Sequence, residues 1–204
     1  MTAMCDVAFL LLAFFILTTK FKPPEALTVT TPKSVSSEAV KAEDVVLATM
    51  DNEGKIYFSV SDENESEKKE IIDVVDQLKN LGLSEQEKNN FVRAGSYVGV
   101  PFSKLKSYLA LSPDQIKGYV QEGIPVTDTL NNEMVTWVRA AKTAFQGQKM
   151  NFMVKGDNNA KFPSFKGIID ALKKNDELKF QMITDPEGVP PGTDLYKLQT
   201  TRKD

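Results

Sequence analysis

Apolar residues run almost without a break from Met4 to Thr19 (MCDVAFLLLAFFILTT), with Asp6 as the one charge among them. Extended back to Met1, the run makes a helix about 28 Å long at roughly 1.5 Å per residue. That just spans a hydrocarbon core of about 30 Å. Lys20 and then Lys22-Pro23-Pro24 end it. The prolines cannot continue a helix, and the lysines can reach headgroups. Residues 1–20 are therefore predicted to be a single transmembrane helix. A signal peptide is the rival, but no basic residue precedes the run and Thr18-Thr19-Lys20-Phe21 is a poor cleavage site. The expectation is an uncleaved anchor. A short cytoplasmic leader ahead of Met1 would supply the missing basic flank and put the remainder outside.

The pattern then changes. Residues 21–43 are a Pro/Ser/Thr-rich linker. Inside it Leu27 to Thr31 (Leu27, Thr28, Val29, Thr30, Thr31) alternates as a short β-prone strip and stops at Pro32. Such a strip can add to an open sheet edge or serve as a plain extended tether, and both remain open. Residues 44–60 hold two β-rich runs around Asp51-Asn52-Glu53-Gly54, a hairpin pattern. The charged stretch 61–70 leads into a helix with Ile71, Val74, Val75 and Leu78 as its apolar positions.

Ser84 and Ser112-Pro113 resemble helix starts, and Ser103 to Leu109 and Pro113 to Gln121 are candidate short helices. From Asn132 to Phe145, residues Met134, Val138, Ala141 and Phe145 share a helical face that Trp137 borders. Met150 to Lys155 reads as a strand, Gly156 to Asn159 as a turn, and Pro163 to Lys173 as a helix facing inward with Phe165, Ile168, Ile169 and Leu172. Leu178 to Thr184 reads as a second strand. This β-α-β unit favours parallel pairing. Residues 185–204 read as a flexible Pro/Gly/charge-rich tail. The fold class is α+β: a transmembrane helix, then a small α/β domain over 44–184 built on the hairpin and the β-α-β unit, carrying a helical insertion near 62–131.

Composition narrows the chemistry. The 204 residues carry a net charge of -3, no histidine and one cysteine. No basic excess exists to neutralise nucleic-acid phosphates. The commonest general base is missing, and no internal disulfide or Cys/His zinc cluster can form. No cofactor or metal is expected. The turn Gly156-Asp157-Asn158-Asn159 is read as Asx/Gly turn chemistry rather than a cation site.

Asp6 is the conspicuous acid. A carboxylate in a bilayer costs about 2.5–3.5 kcal/mol on insertion scales, and such residues mark ion or proton paths. Apolar surroundings raise a carboxyl pKa toward neutrality and permit reversible protonation. The alternative is an ordinary cap at the membrane edge. On a helix Asp6 shares a face with Thr2, Phe9, Leu10, Ala13 and Leu17. A single helix makes no proton path, so the transport reading requires partner helices.

The stretch Met4-Cys5-Asp6-Val7-Ala8-Phe9, running on to Thr18-Thr19, resembles the transmembrane helix of the ExbD/TolR biopolymer-transport proteins, where Asp-Val opens an apolar run. Residues 150–184, centred on VKGDNNAKFPSFKGIIDALK, resemble that family's strand–turn–helix–strand, and the hairpin at 44–60 its first strands. Leu27 to Ser34 is similar to the family's segment after the membrane. The resemblance implies an inner-membrane, single-pass subunit with a cytoplasmic N-terminus and a periplasmic C-terminal domain. It implies a dimer inside an ExbB/TolQ-like polytopic partner. Proton flow there drives work on a TonB-like protein or the cell wall, as in TonB-dependent transport. Asp6 would carry the proton, Thr2 and Thr18 would line the pore, and Leu27, Thr28, Val29, Thr30, Thr31 and Pro32 would answer to a partner. Residues near 62–131 are extra relative to the usual family domain, and the extended form resembles Bacteroidetes-type members.

Other classes stay in view. A membrane-anchored periplasmic adaptor or cell-wall-binding module would carry a passive helix, and a self-assembling structural subunit would ignore the proton gradient. An enzyme is not expected. Asp51, Glu53, Asp62 and Glu63 lie in turn-like or solvated segments, and no nucleophile motif or phosphate-cradling loop is present.

Overall fold

The computed structural model describes residues 7–14, 27, 29–35, 44–93, 97–112, 115–116, 118–188 and 193. Residues 7–14 are helical (α1). Among the described residues no helix is long and apolar enough to cross a membrane. The rest of the predicted span lies outside the described residues, as does nearly all of the tail beyond Gly188.

After the short β1 (Lys33–Ser34), the hairpin forms as the alternation predicts, with β2 (Val45–Met50) antiparallel to β3 (Ile56–Val60). Its turn follows from Asp51, whose Oδ1 accepts the N–H groups of Glu53 (3.0 Å) and Lys55 (2.8 Å). Gly54 takes φ +86° there, a left-handed conformation that glycine adopts without strain. β4 (Asn151–Gly156) runs parallel to β2, and β5 (Gln181–Ile183) runs parallel to β4, giving the order β3-β2-β4-β5. The expected β-α-β unit is thus present. The register lines up Val46 with Val60 and Phe152, and Ala48 with Phe58 and Val154. These residues share one face, and all are buried.

The helices cover that face. They are α2 (Glu65–Lys79), α3 (Glu85–Arg93), α4 (Phe102–Leu109), α5 (Met134–Ala144) and α6 (Phe162–Lys174). α5 lies between α2 and α6. Ile71, Ile72 and Val75, Val138 and Ala141, and Ile168 and Leu172 join the sheet in one core. Ser84 starts α3 by a reciprocal cap: its N–H donates to Glu87 Oε2 (2.7 Å), and its Oγ accepts the Glu87 N–H (3.3 Å). Lys88 ties α3 to α2 by pairing with Asp73 (2.9 Å) and Asp76 (3.1 Å).

Residues 62–131 are built into this core rather than set beside it. Trp137 is fully buried. Its ring stacks on Phe58 of β3 at 4.9 Å, Phe102 of α4 at 5.5 Å and Phe91 of α3 at 5.8 Å. The outer edge of β3 is closed as well. Phe58 exchanges two 2.8 Å backbone hydrogen bonds with Val98, and the Ile124 N–H donates to the Ile56 carbonyl (2.8 Å).

Several expectations are corrected. Trp137 occupies the centre of the core rather than the border of a face, because rings from three other elements converge on it. α2 starts at Glu65, inside the charged stretch: Glu65 and Glu67 suit the positive N-terminal end, and Lys68 pairs with Asp62 (2.7 Å). Its buried stripe runs through Ile71, Ile72 and Val75, leaving Leu78 45% exposed. Pro113 to Gln121 is no continuous helix. Pro113, Asp114 and Lys117 lie outside the described residues, and the Ile116 N–H closes one turn onto the Ser112 carbonyl (3.0 Å). The chain then extends, held where Gln121 Nε2 donates to the Tyr97 carbonyl (3.2 Å). β5 begins at Gln181 instead of Leu178, since residues 177–180 are spent leaving the helix: the Glu177 N–H still bonds back to the Leu172 carbonyl (3.0 Å).

Candidate functional site

The strip that follows the N-terminal run is docked on the folded domain. Its strand is β1, beyond Pro32 rather than before it. β1 pairs in parallel with β6 (Asp185–Pro186), so the start of the presumed flexible tail is part of the fold. The reason is main-chain bonding. The Asp185 N–H donates to the Pro32 carbonyl (3.0 Å) and the Glu187 N–H to the Ser34 carbonyl (2.8 Å). Upstream, the Asn158 N–H donates to the Thr30 carbonyl (2.9 Å), and the Thr30 N–H donates to Asp157 Oδ2 (2.9 Å). Thr31 is buried, while Leu27, Val29 and Pro32 are half-buried.

Asp157 is the pivot. Its Oδ1 accepts the Asn159 N–H (2.9 Å), the Asx turn that the sequence predicts, and its second oxygen is left to hold the strip. The Asn159 N–H first, then the Thr30 N–H, hold its carboxyl below the usual carboxylate range. This role was missed at the sequence level, although an Asx-turn aspartate always has a second oxygen to offer.

A family model for the biopolymer transport protein ExbD/TolR matches residues 1–187 in one span. The chain belongs to the ExbD/TolR family. No curated protein and no solved structure matches it. ExbD/TolR members are subunits of biopolymer-transport complexes rather than enzymes.

The match extends over the apolar run and the folded domain together. Within this ExbD/TolR chain, Asp6, Thr2, Thr18 and Thr28 lie outside the described residues. Three of the four acids weighed for catalysis hold local structure, and Glu63 is exposed. Asp51 caps the hairpin turn and accepts from the Tyr57 hydroxyl (3.2 Å), Glu53 pairs with Lys55 (2.6 Å) and Asp62 with Lys68. Among the described residues no cluster of three or more His, Cys, Asp or Glu side chains could hold a metal ion. Sequence reasoning also passed over Glu133, a buried carboxylate that accepts the Phe102 N–H (2.8 Å) at the start of α4. Burial pushes its pKa up, against the pull of that N–H and of Lys79.

Proposed function

We propose that this ExbD/TolR chain is the proton-carrying subunit of a bacterial inner-membrane motor that does work in the periplasm or at the outer membrane. The observation that carries the reading is the single family match running from the acid-bearing apolar run through to the folded domain. In this reading residues 1–20 cross the membrane once, with the N-terminus cytoplasmic, and residues 21–43 tether a periplasmic domain over 44–184. Asp6 takes up and releases the proton, and burial among apolar helices brings its pKa into a working range. Thr2 and Thr18 line the path. The helices that complete it come from a second copy of the chain and from an ExbB/TolQ-like polytopic partner. The strip from Leu27 to Pro32 links the membrane run to the domain, and its exchangeable main-chain bonding suits it to answer a TonB-like protein or the cell wall.

The test is Asp6→Asn. That variant keeps size and polarity but carries no titratable proton. It is expected to assemble with the polytopic partner in membranes and to lose energy-dependent transport. Full transport by Asp6→Asn would overturn the proton-carrying role.

A further inference from the structure

The C-terminal ends of α5 and α6 lie side by side and leave an open cleft of about 320 Å³ between them. Arg139, Lys142 and Lys174 face it, with Asp176 as the one carboxylate on its lining. This positive excess stands out on a chain whose net charge is -3. Cations at helix C-termini ordinarily offset the open carbonyls there. One of the three does so: the Lys142 ammonium donates to the Asn175 carbonyl at the end of α6, whereas the Lys174 ammonium donates to the Thr129 carbonyl (2.7 Å) in the loop ahead of α5. The Lys142 bond ends on a residue of the lining and holds that ammonium at the cleft, with two N–H donors still to give.

Arg139 is different. It is exposed, and its guanidinium has no hydrogen-bond or ion-pair partner among the described residues. Its planar fork of donors matches the two oxygens of a carboxylate or phosphate. The frame is rigid. Asn175 is only 9% exposed, and its Nδ2 donates to the Val135 carbonyl (3.0 Å) on α5 and the Ala171 carbonyl (2.9 Å) on α6. That amide fastens the two helices together and sets the spacing of the cations. Asp176 repels a second negative group, which favours one anionic head over an extended polyanion.

We propose that this cleft is a binding site for a single oxyanion head group, a carboxylate or a phosphate carried by a ligand outside this chain. The site lies away from Asp6 and the docked strip in sequence, and it stands independently of the motor reading.

The test uses the detergent-solubilised full chain, titrated with inorganic phosphate and separately with glutarate, against sodium chloride at matched ionic strength. Backbone amide shifts at Arg139 to Gly147 and Lys174 to Asp176 are expected to saturate with an oxyanion and not with chloride. Saturation by phosphate alone assigns the head as phosphate, and by glutarate alone as carboxylate. Arg139→Ala should weaken binding about tenfold, the loss expected for one hydrogen bond from a charged donor. Arg139→Lys should recover part of it. Both variants alter only an exposed side chain that is unpartnered among the described residues, and melting curves check the fold. Shifts equal to those in chloride, or wild-type affinity in Arg139→Ala, would overturn the proposal.

Discussion

Truncating Trp137 to alanine tests whether residues 62–131 and the sheet form one cooperative unit. Trp137 is fully buried, and its ring meets Phe58, Phe91 and Phe102 from the hairpin, α3 and α4. Removing a buried Trp side chain costs about 3–5 kcal/mol, transfer and cavity together. One offset applies. The indole Nε1–H has no hydrogen-bond partner among the described residues, so its burial already costs about 1–3 kcal/mol that truncation returns. The net expectation is a loss of about 2 kcal/mol, out of a domain total of roughly 5–15 kcal/mol. Trp137→Phe removes the same N–H while keeping a ring, so its loss should be smaller. The assay is urea unfolding followed by far-UV circular dichroism, with hydrogen exchange read at β2 and β3 and at α3 and α4. One transition at lower urea is expected, with protection lost together in both regions. A destabilisation under about 1 kcal/mol, or exchange confined to α3 and α4 while the sheet stays protected, would refute the single core.

Two further outcomes follow from titratable groups. Asp157→Ala should free the strip, so that the Thr30 and Asn159 amides exchange faster while β2 and β4 are unchanged; unaltered Thr30 exchange would sink the pivot role. Because the folded-state pKa of Asp157 is depressed, its contribution is present above the ordinary carboxylate value and is lost as pH falls through the lower folded value. The Thr30 amide shift should therefore titrate in acid, below the ordinary range. Glu133 has the opposite sign: its raised pKa gives stability that is present below the unfolded value and is lost as pH rises through the folded one. Glu133→Gln keeps an acceptor for the Phe102 N–H without the buried charge. It should melt higher than the wild type at about pH 7, with a flatter profile toward pH 4. A lower melting temperature at neutral pH would count against that account.

The elements legible in the sequence are those fixed by near neighbours. Alternation around an Asx/Gly turn gives the hairpin, Ser84 with Glu87 gives the start of α3, and the stripe through Ile168 and Leu172 gives α6. What the sequence hides depends on partners far along the chain. Leu27 to Thr31 has strand propensity, yet pairing is dictated by where Asp185 and Glu187 present their N–H groups, and the strand falls at Lys33 and Ser34. Trp137 looks peripheral on its own helix because the three rings around it come from elements before it. Glu133 sits in a polar stretch, and only the packing of α4 against it reveals a buried carboxylate. Asp6 belongs to a third kind, since it lies outside the described residues.

The docked strip and the core differ in how they are held, and that difference sets the order in which they yield. β1 has two residues, and the strip's docking rests on main-chain bonds from Asn158, Asp185 and Glu187 and on the Asp157 carboxylate, each contributing about 0.5–1.5 kcal/mol net. The core rests on fully buried rings and branched side chains shared by the sheet and its helices. A pull along the chain from the N-terminal side reaches β1 before β2. The strip should therefore open as a local unit while the sheet stays folded. Native-state hydrogen exchange can rank the two directly. The Asn158, Asp185 and Glu187 amides are expected to exchange through a low-energy opening with little denaturant dependence, and the Phe58 and Val98 amides through global unfolding. Equal protection in both sets would mean that the strip is locked to the core, and a chain locked in that way could pass force to the domain only by unfolding it.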